Sequence, residues 1–555
     1  MRPRGNEGLS DGAVLIVIGS VAAVAVVVWL WGGLAGALFG SGWPRVGPSQ
    51  LLGVALRLPS RLGDPASAWP STARVHVPGA GGCYAALALL AGAGAALALV
   101  GGRIAGRLGG GGGARWARTP ELRPLRSLAR ARRTGRVVLG RHGGRLLYAE
   151  HRHALVAFGP PQSGKSAGIA IPALLDWDGP AVASSIKADL LSATVAGRRA
   201  RGDVFVFDPF GLVPATPSHT WSPLHGAGTW DGALEVAWRL ASAGELDRHG
   251  VESGDFWAVA AEQRLAPLLY AAAVSGSGMD TVVRWIHGQG MRELDQALLC
   301  AGEGGHAAYD AVRAFEAQAD RTRTSIEATA QTLLRAYRFG RVVRSAEAPE
   351  ITADRLLDGA ATLYVIGDAK ASKLLRPLFL ALLGEVVDRA YERATLAGGR
   401  LERPLLLCLD EAGNVAPLPN LAEVASTAPS HNIQLVTIFH DLAQARSRYR
   451  QQAETVVNSH RARMLLPGVA DLDTLRYFAG LTGEEEARDR THTTGAGGST
   501  RSTARRRRPL IAPEALRQLP ERHALLLYGR IAPTRVRLRL WFEDRRLRKL
   551  ARGRP

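Results

Sequence analysis

The sequence predicts an α/β protein: a largely parallel sheet with an all-helical insertion, preceded by two membrane-spanning helices. Three observations predict this. Residues 159–166 match the phosphate-loop pattern GxxxxGK[ST] between an apolar run and a helical stretch. Short β-rich runs recur from residue 155 onward, separated by helical patterns, as parallel strands joined by crossovers require. Two long uncharged apolar segments lie within the first 102 residues.

The N-terminal segments come first. Residues 13–39 carry no charge, and at about 1.5 Å per residue they exceed the roughly 30 Å hydrocarbon core of a bilayer. Residues 79–102 are a second uncharged stretch, rich in Ala, Leu and Gly. Arg103, Arg107, Arg115, Arg118, Arg123, Arg126, Arg130, Arg132 and Arg133 follow it. By the positive-inside rule both ends are expected in the cytoplasm and residues 40–77 outside. The protein is thus expected in the cell membrane as a multi-pass chain, with its bulk cytoplasmic. The glycine run 109–113 reads as a flexible joint.

Strands are expected at Leu155–Phe158, Ala181–Ser185, Val204–Phe207, Thr362–Ile366, Leu405–Leu409, Ile433–Phe439, 462–466 and 524–528. Between about 230 and 345 strand signals are sparse and Ala, Glu, Arg and Leu dominate. The expected division is a membrane anchor over 1–105, a basic linker over 106–134, and a nucleotide-binding domain split into 135–229 and 346–545. The all-α domain 230–345 interrupts it, and 546–555 form a basic tail. Trp221, Trp230, Trp257 and Trp285 read as core rather than as stacking platforms. Residues 491–508 are rich in Gly, Ser and Thr and end in four arginines; they read as a mobile basic loop.

Composition bounds the function. At 555 residues the chain is too long for one core, and two or three domains are expected. A net charge of +20 favours a polyanionic partner, nucleic acid or an anionic lipid surface. Cys83, Cys300 and Cys408 lie far apart, which excludes a disulfide framework and a CxxC zinc site. Cys408 reads as a small buried hydrophobe.

The loop Gly159-Pro160-Pro161-Gln162-Ser163-Gly164-Lys165-Ser166, with Ala167 after it, is the expected nucleotide-binding segment. Its glycines let backbone N–H groups turn toward phosphate oxygens. Lys165 can reach the terminal phosphates, and the Ser166 hydroxyl can ligate Mg2+. The helix expected from about 167 to 175 aims its N-terminus at the same anion. Of 69 basic residues only Lys165, Lys187, Lys370, Lys373 and Lys549 are lysine. A lysine retained in so Arg-rich a chain marks a place for a compact ammonium; Lys165 fits that, and Lys187 is a second candidate. The apolar strand 405–409 ends in Asp410 and Glu411. Beside a phosphate loop, Asp410 can hold Mg2+ and Glu411 can act as general base toward water. ATP and Mg2+ are the expected ligands.

Taken in order, these motifs resemble the type IV secretion coupling proteins, the TraG/TraD type of conjugative DNA-transfer ATPase. Further segments carry the resemblance: Ser185-Ile186-Lys187-Ala188-Asp189-Leu190, Phe207-Asp208-Pro209-Phe210-Gly211, Trp221-Ser222-Pro223-Leu224, Phe256-Trp257, and residues 509–520. The resemblance covers most of residues 1–545. It implies a RecA-like P-loop ATPase domain with an inserted all-α domain, and a homo-hexameric ring at the cytoplasmic membrane face. It also implies partners: a relaxase-bound single-stranded DNA or secreted protein substrates, and other type IV secretion components.

Two departures stand out. Residues 426–432, Ser-Thr-Ala-Pro-Ser-His-Asn around Pro429, lack the Arg the family places there, and His440 stands where the family has Gln. Arg461 and Arg463 are candidate substitutes for the missing charge. These departures keep two alternatives open. One is a nucleotide-binding recruitment platform that does not pump DNA. The other is a DNA translocase of the chromosome-segregation type, although the winged-helix reader expected of that class is not found after Trp541.

Overall fold

The computed structural model describes residues 11–108, 113–126, 135–245, 254–415, 417–495 and 498–554. The chain divides into two compact units, Met1–Gly112 and Gly113–Pro555.

The first unit holds helices Asp11–Phe39 and Ala80–Leu108. Within them, Ala22–Phe39 and Ala80–Gly101 are long and apolar enough to cross a bilayer. Val24, Val26, Val27, Leu97, Leu99 and Val100 expose their side chains. The segment between the helices is more than a connecting loop. It forms helix Pro48–Arg57 and short helical turns that bury Leu51, Val54 and Trp69 against Val28, Trp31 and Ala35. Gly32 is needed there, because a Cβ would lie 2.0 Å from the Trp69 ring.

The second unit is built on thirteen strands among the described residues. They are β1 (Val138–His142), β2 (Arg145–Tyr148), β3 (Leu155–Phe158), β4 (Ala181–Ser185), β5 (Val204–Phe207), β6 (Thr362–Ile366), β7 (Leu405–Leu409), β8 (Ile433–Phe439), β9 (Ala462–Leu465), β10 (Glu484–Gly495), β11 (Gly498–Pro509), β12 (His523–Tyr528) and β13 (Ile531–Arg537). Eleven form one sheet, in the order β2-β1-β13-β12-β9-β3-β8-β7-β4-β6-β5. From β9 to β5 every pairing is parallel, and the other four strands extend the sheet antiparallel. The parallel strands are continuous apolar runs because both faces are covered. Val156, Phe158 and Leu407 face one core, while Leu155, Ala157 and Cys408 face the other.

β1, β2 and β13 were not expected. They are short and carry Arg141, Arg145, Arg535 and Arg537, so they lack the apolar run that marks the central strands. The expected loop over 491–508 is corrected. Those described residues belong to an antiparallel hairpin, β10 with β11. Its register sets Glu485 against Arg508 and Glu486 against Arg507, and Arg508 pairs with Glu485 at 2.8 Å. A strand held by backbone bonds and cross-strand charge has no hydrophobic alternation to betray it.

Between β5 and β6 the described residues form no strand, and the helices there bury Leu265, Leu269 and Trp285 in the same core as Phe158. Trp221 and Trp285 are buried. Trp230 lies edge-on to Tyr270, and Trp257 packs with Phe315 and Ile326.

At the end of the sheet where the parallel strands begin, Arg198 is fully buried. Its guanidinium donates to Thr362 Oγ1 (2.6 Å) and to the carbonyls of Trp177 (2.5 Å), Gly179 (2.7 Å) and Ala360 (3.0 Å). Burial lowers its pKa to about 10, so it stays charged. Arg198→Leu would leave these acceptors without their donor. The expected loss is about 3–5 kcal/mol of stability, read by denaturant unfolding of the solubilised chain. A loss below about 1 kcal/mol would remove this role.

Candidate nucleotide site

The phosphate loop leaves β3 and is fixed before any ligand arrives. Gly159 N donates to Phe439 O of β8 at 3.1 Å. A Cβ at Gly159 would lie 2.5 Å from Ser163 Oγ and 2.9 Å from Leu466 Cβ. The turn takes positive φ at Gln162 (66°) and Gly164 (91°). Gly164 adopts this freely, whereas Gln162 is held there at a cost. The following helix opens as a wide turn over Ser166–Ala170 and continues over Ile171–Asp176. The wide turn sits just before Pro172, which has no N–H to complete an α-helical bond.

Three neighbouring strands deliver the chemistry. β3 brings Lys165 and Ser166, β7 brings Asp410 and Glu411, and β8, between them, brings His440. Ser166 Oγ donates to Asp410 Oδ2 at 2.6 Å. Lys165 is only 6% exposed; its Nζ donates to Gly159 O at 2.5 Å and contacts His440 Nδ1 at 2.9 Å. Glu411 Oε1 lies 3.9 Å from the same ammonium. An ammonium can only donate, so His440 Nδ1 accepts, which leaves Nε2–H to donate to Glu411 Oε2 at 2.8 Å. Asn414 Nδ2 also donates to Glu411, at 2.9 Å. The imidazole therefore links phosphate-loop lysine and acid directly. Glu411 has φ 62°, a strained value for a non-glycine residue, and such strain marks positions fixed by function.

Burial governs the charges. It pushes the Asp410 carboxyl up to about 6, against a hydrogen bond from Ser166 that pulls down. Burial alone also raises Glu411, but the His440 hydrogen bond and the charge of Lys165 hold it below the usual carboxylate range. Lys165 is lowered by burial, which Glu411 and Asp410 partly oppose.

Ser163, Gly164, Lys165 and Ser166 line one cavity of about 960 Å3 with Asp410, Glu411 and His440. Pro160, Pro161, Gln162 and Ala167 line it as well, so the whole expected loop except Gly159 faces the cavity. Lys187 is exposed at its edge. The residues fit Mg2+: a hydroxyl and a carboxylate meet, and Asp410 Oδ1 is buried with no partner among the described residues. Arg463 donates to the Val457 and Asn458 carbonyls near the start of β9. Residues 426–432 lie on a helix end where Pro429 is buried and His431 stacks edge-on with Tyr391.

The sequence singled out His440 only as a departure from the family's Gln, without its link to Lys165 and Glu411, and Asn414 carried no signal beyond its spacing from Glu411. Arg517, Arg522 and Phe542 also line the cavity. They arrive because β12 and β13 fold back beside β9, which no local pattern announces.

The carboxyl shift gives a test. A raised Asp410 contributes stability at low pH that is lost as pH rises through about 6. Above that pH its ionised form costs the metal-free fold about 3 kcal/mol. Asp410→Asn should therefore gain thermal stability relative to the parent between pH 5 and 7.5 without Mg2+. Mg2+ with ADP should protect the parent more at pH 7.5 than at pH 5.5. Parallel melting profiles for the two proteins across that range would contradict the assignment.

Comparisons with known proteins agree with this geometry. The family model described as "Type IV secretory system Conjugative DNA transfer" matches residues 115–552. The conjugal transfer protein TraG of Escherichia coli is 24% identical over 458 residues, covering 74% of this chain and 71% of TraG. The unbound bacterial conjugative coupling protein TrwBdeltaN70 superposes with a TM-score of 0.57 at 19% identity, covering 77% of this chain and 93% of that one. The plasmid coupling protein TrwB in complex with ADP and Mg2+ gives 0.56 at 17% identity, covering 77% and 94%. These likenesses show the fold.

Proposed function

Because the chain belongs to the type IV secretory system conjugative DNA-transfer family, we propose that it is a membrane-anchored motor that uses Mg2+-ATP to drive DNA, or DNA–protein substrates, toward a secretion channel. The observation that carries this is the meeting of Ser166 with Asp410 and of Lys165 with Glu411 in one cavity. TrwB, a coupling protein of the same fold, binds ADP with Mg2+ and an ATP analogue, and this chain presents residues suited to both. The anchor is the pair of apolar helices, with residues 40–77 outside. The assembly is a homo-hexamer at the cytoplasmic face, and its partners are relaxase-bound single-stranded DNA and the other secretion components.

The residues divide the work. Lys165 binds the terminal phosphates, and the loop N–H groups orient them. Ser166 and Asp410 hold Mg2+, which neutralises charge developing on the phosphates. Glu411 orients water and takes its proton. The His440 hydrogen bond and the Lys165 charge hold Glu411 ionised but weaken it as a base. Once Lys165 turns to a phosphate, its charge acts less on Glu411, and Glu411 binds a proton more readily. Lys165 thus ties base strength to an occupied phosphate site.

A second reading, the recruitment platform, is favoured by one observation: residues 426–432 offer no arginine toward a neighbouring site.

Lys165→Ala should abolish nucleotide binding, read by binding of a fluorescent ATP analogue. Glu411→Gln should still bind ATP but hydrolyse it about 10²–10⁴-fold more slowly. Turnover by Glu411→Gln equal to the parent would show that the base lies elsewhere.

A further inference from the structure

We propose that the C-terminal basic helix is a docking site for anionic phospholipid headgroups. A cleft of about 380 Å3 there is lined by Arg545, Arg548, Lys549, Arg552 and Arg554 and by no other residue. All five are exposed, and none has a side-chain partner among the described residues. Their neighbours differ. Arg539 bridges Asp176 and Asp544, Arg141 also takes Asp544, and Arg546 takes Asp176. Arg522 and Arg537 share Glu543. The nearby acids are thus already engaged, and five cations converge on one cleft with no acidic partner among the described residues.

The cationic face is fixed rather than a loose tail. Asp544 caps the helix Arg545–Ala551 by accepting from Arg546 N and Leu547 N, and Leu547 is fully buried. The helix packs along Asp189–Arg199, whose last turns sit at Leu550 and Gly553: Cβ atoms built at Gly197 and Gly553 would lie 2.4 Å from Leu550 O and 3.1 Å from Ala196 O. Helix Asp189–Arg199 leaves the nucleotide end of the sheet after β4, so residues 550–554 lie at the opposite end, where the parallel strands begin. The chain enters this unit at that same end. Ala114 N donates to Glu484 O, at the foot of helix Leu472–Thr482, which likewise returns from the nucleotide end. Only five peptide steps, at most about 18 Å of chain, connect Gly113 to Leu108 of the second apolar helix.

This rests on the reading of the two apolar helices as membrane spans. Given that, a short connection joins the second span to the end of the unit that carries the cleft, and the cleft is cationic enough to bind lipid phosphates. Each basic residue near an anionic surface strengthens association by about fivefold. A path for single-stranded nucleic acid would call for aromatic stacking platforms along a groove; the lining of this cleft has none.

The test uses the full chain in nanodiscs of phosphatidylcholine alone or with phosphatidylglycerol, reading amide exchange of residues 545–554. Exchange should slow by about tenfold in the anionic discs at low salt, and the effect should fade as salt screens it. The variant Arg545→Gln/Arg548→Gln/Lys549→Gln/Arg552→Gln/Arg554→Gln should lose the effect. It should keep the parent's ATP turnover and the parent's exchange in helix 189–199, which shows that the fold is intact. Equal exchange in both discs overturns the proposal. So does protection in phosphatidylcholine discs by inorganic phosphate alone, which would mark a soluble-anion site, or by an oligonucleotide, which would mark a nucleic-acid surface. Failure of the anchor reading is separately visible, because the chain would then enter neither kind of disc.

Discussion

One constraint organises the site: a nearly buried ammonium must sit beside two carboxylates without any of the three being left unpaired. Lys165 satisfies it through Gly159 O and His440, Asp410 through Ser166, and Glu411 through His440 and Asn414. A charge buried without such partners costs several kcal/mol. What remains unsatisfied, Asp410 Oδ1, is the atom a divalent cation would take.

The sheet exists to meet that constraint. Adjacent strands β3, β8 and β7 end at one level, so residues far apart in sequence arrive within hydrogen-bond distance. The apolar runs that form those strands are buried on both faces, which fixes their register. Strain at Gln162 and Glu411 is tolerated because the neighbours pin both turns: Ser163 N bonds to Pro160 O, Asn414 N to Glu411 O, and Ala412 N to Ile438 O. The C-terminal strands close the cavity on the side of Arg517 and Arg522.

The phosphate loop was legible because its chemistry is contiguous, and the central strands because double burial makes them unbroken apolar runs. The acids 410 and 411 were legible only as the end of such a run. The His440 link was not, since it appears only when three strands are set in register. The hairpin 484–509 hid behind its polarity, and β1, β2 and β13 behind their arginines. Between the apolar helices, Leu51, Val54 and Trp69 gave no periodic signal, yet they form a small core with the first helix.

For the family to which the chain belongs, the question of consequence is whether this cluster turns over ATP in response to DNA. His440 and the arginine-free segment around Pro429 are where the sequence departs from the pattern that the resemblance implies. The most direct measurement is the rate of Mg2+-ATP hydrolysis by the full chain in nanodiscs, with and without single-stranded DNA. The motor account predicts turnover that single-stranded DNA stimulates, with stimulation fading as salt rises. Turnover indifferent to DNA at low salt would contradict it and leave a recruitment platform in its place.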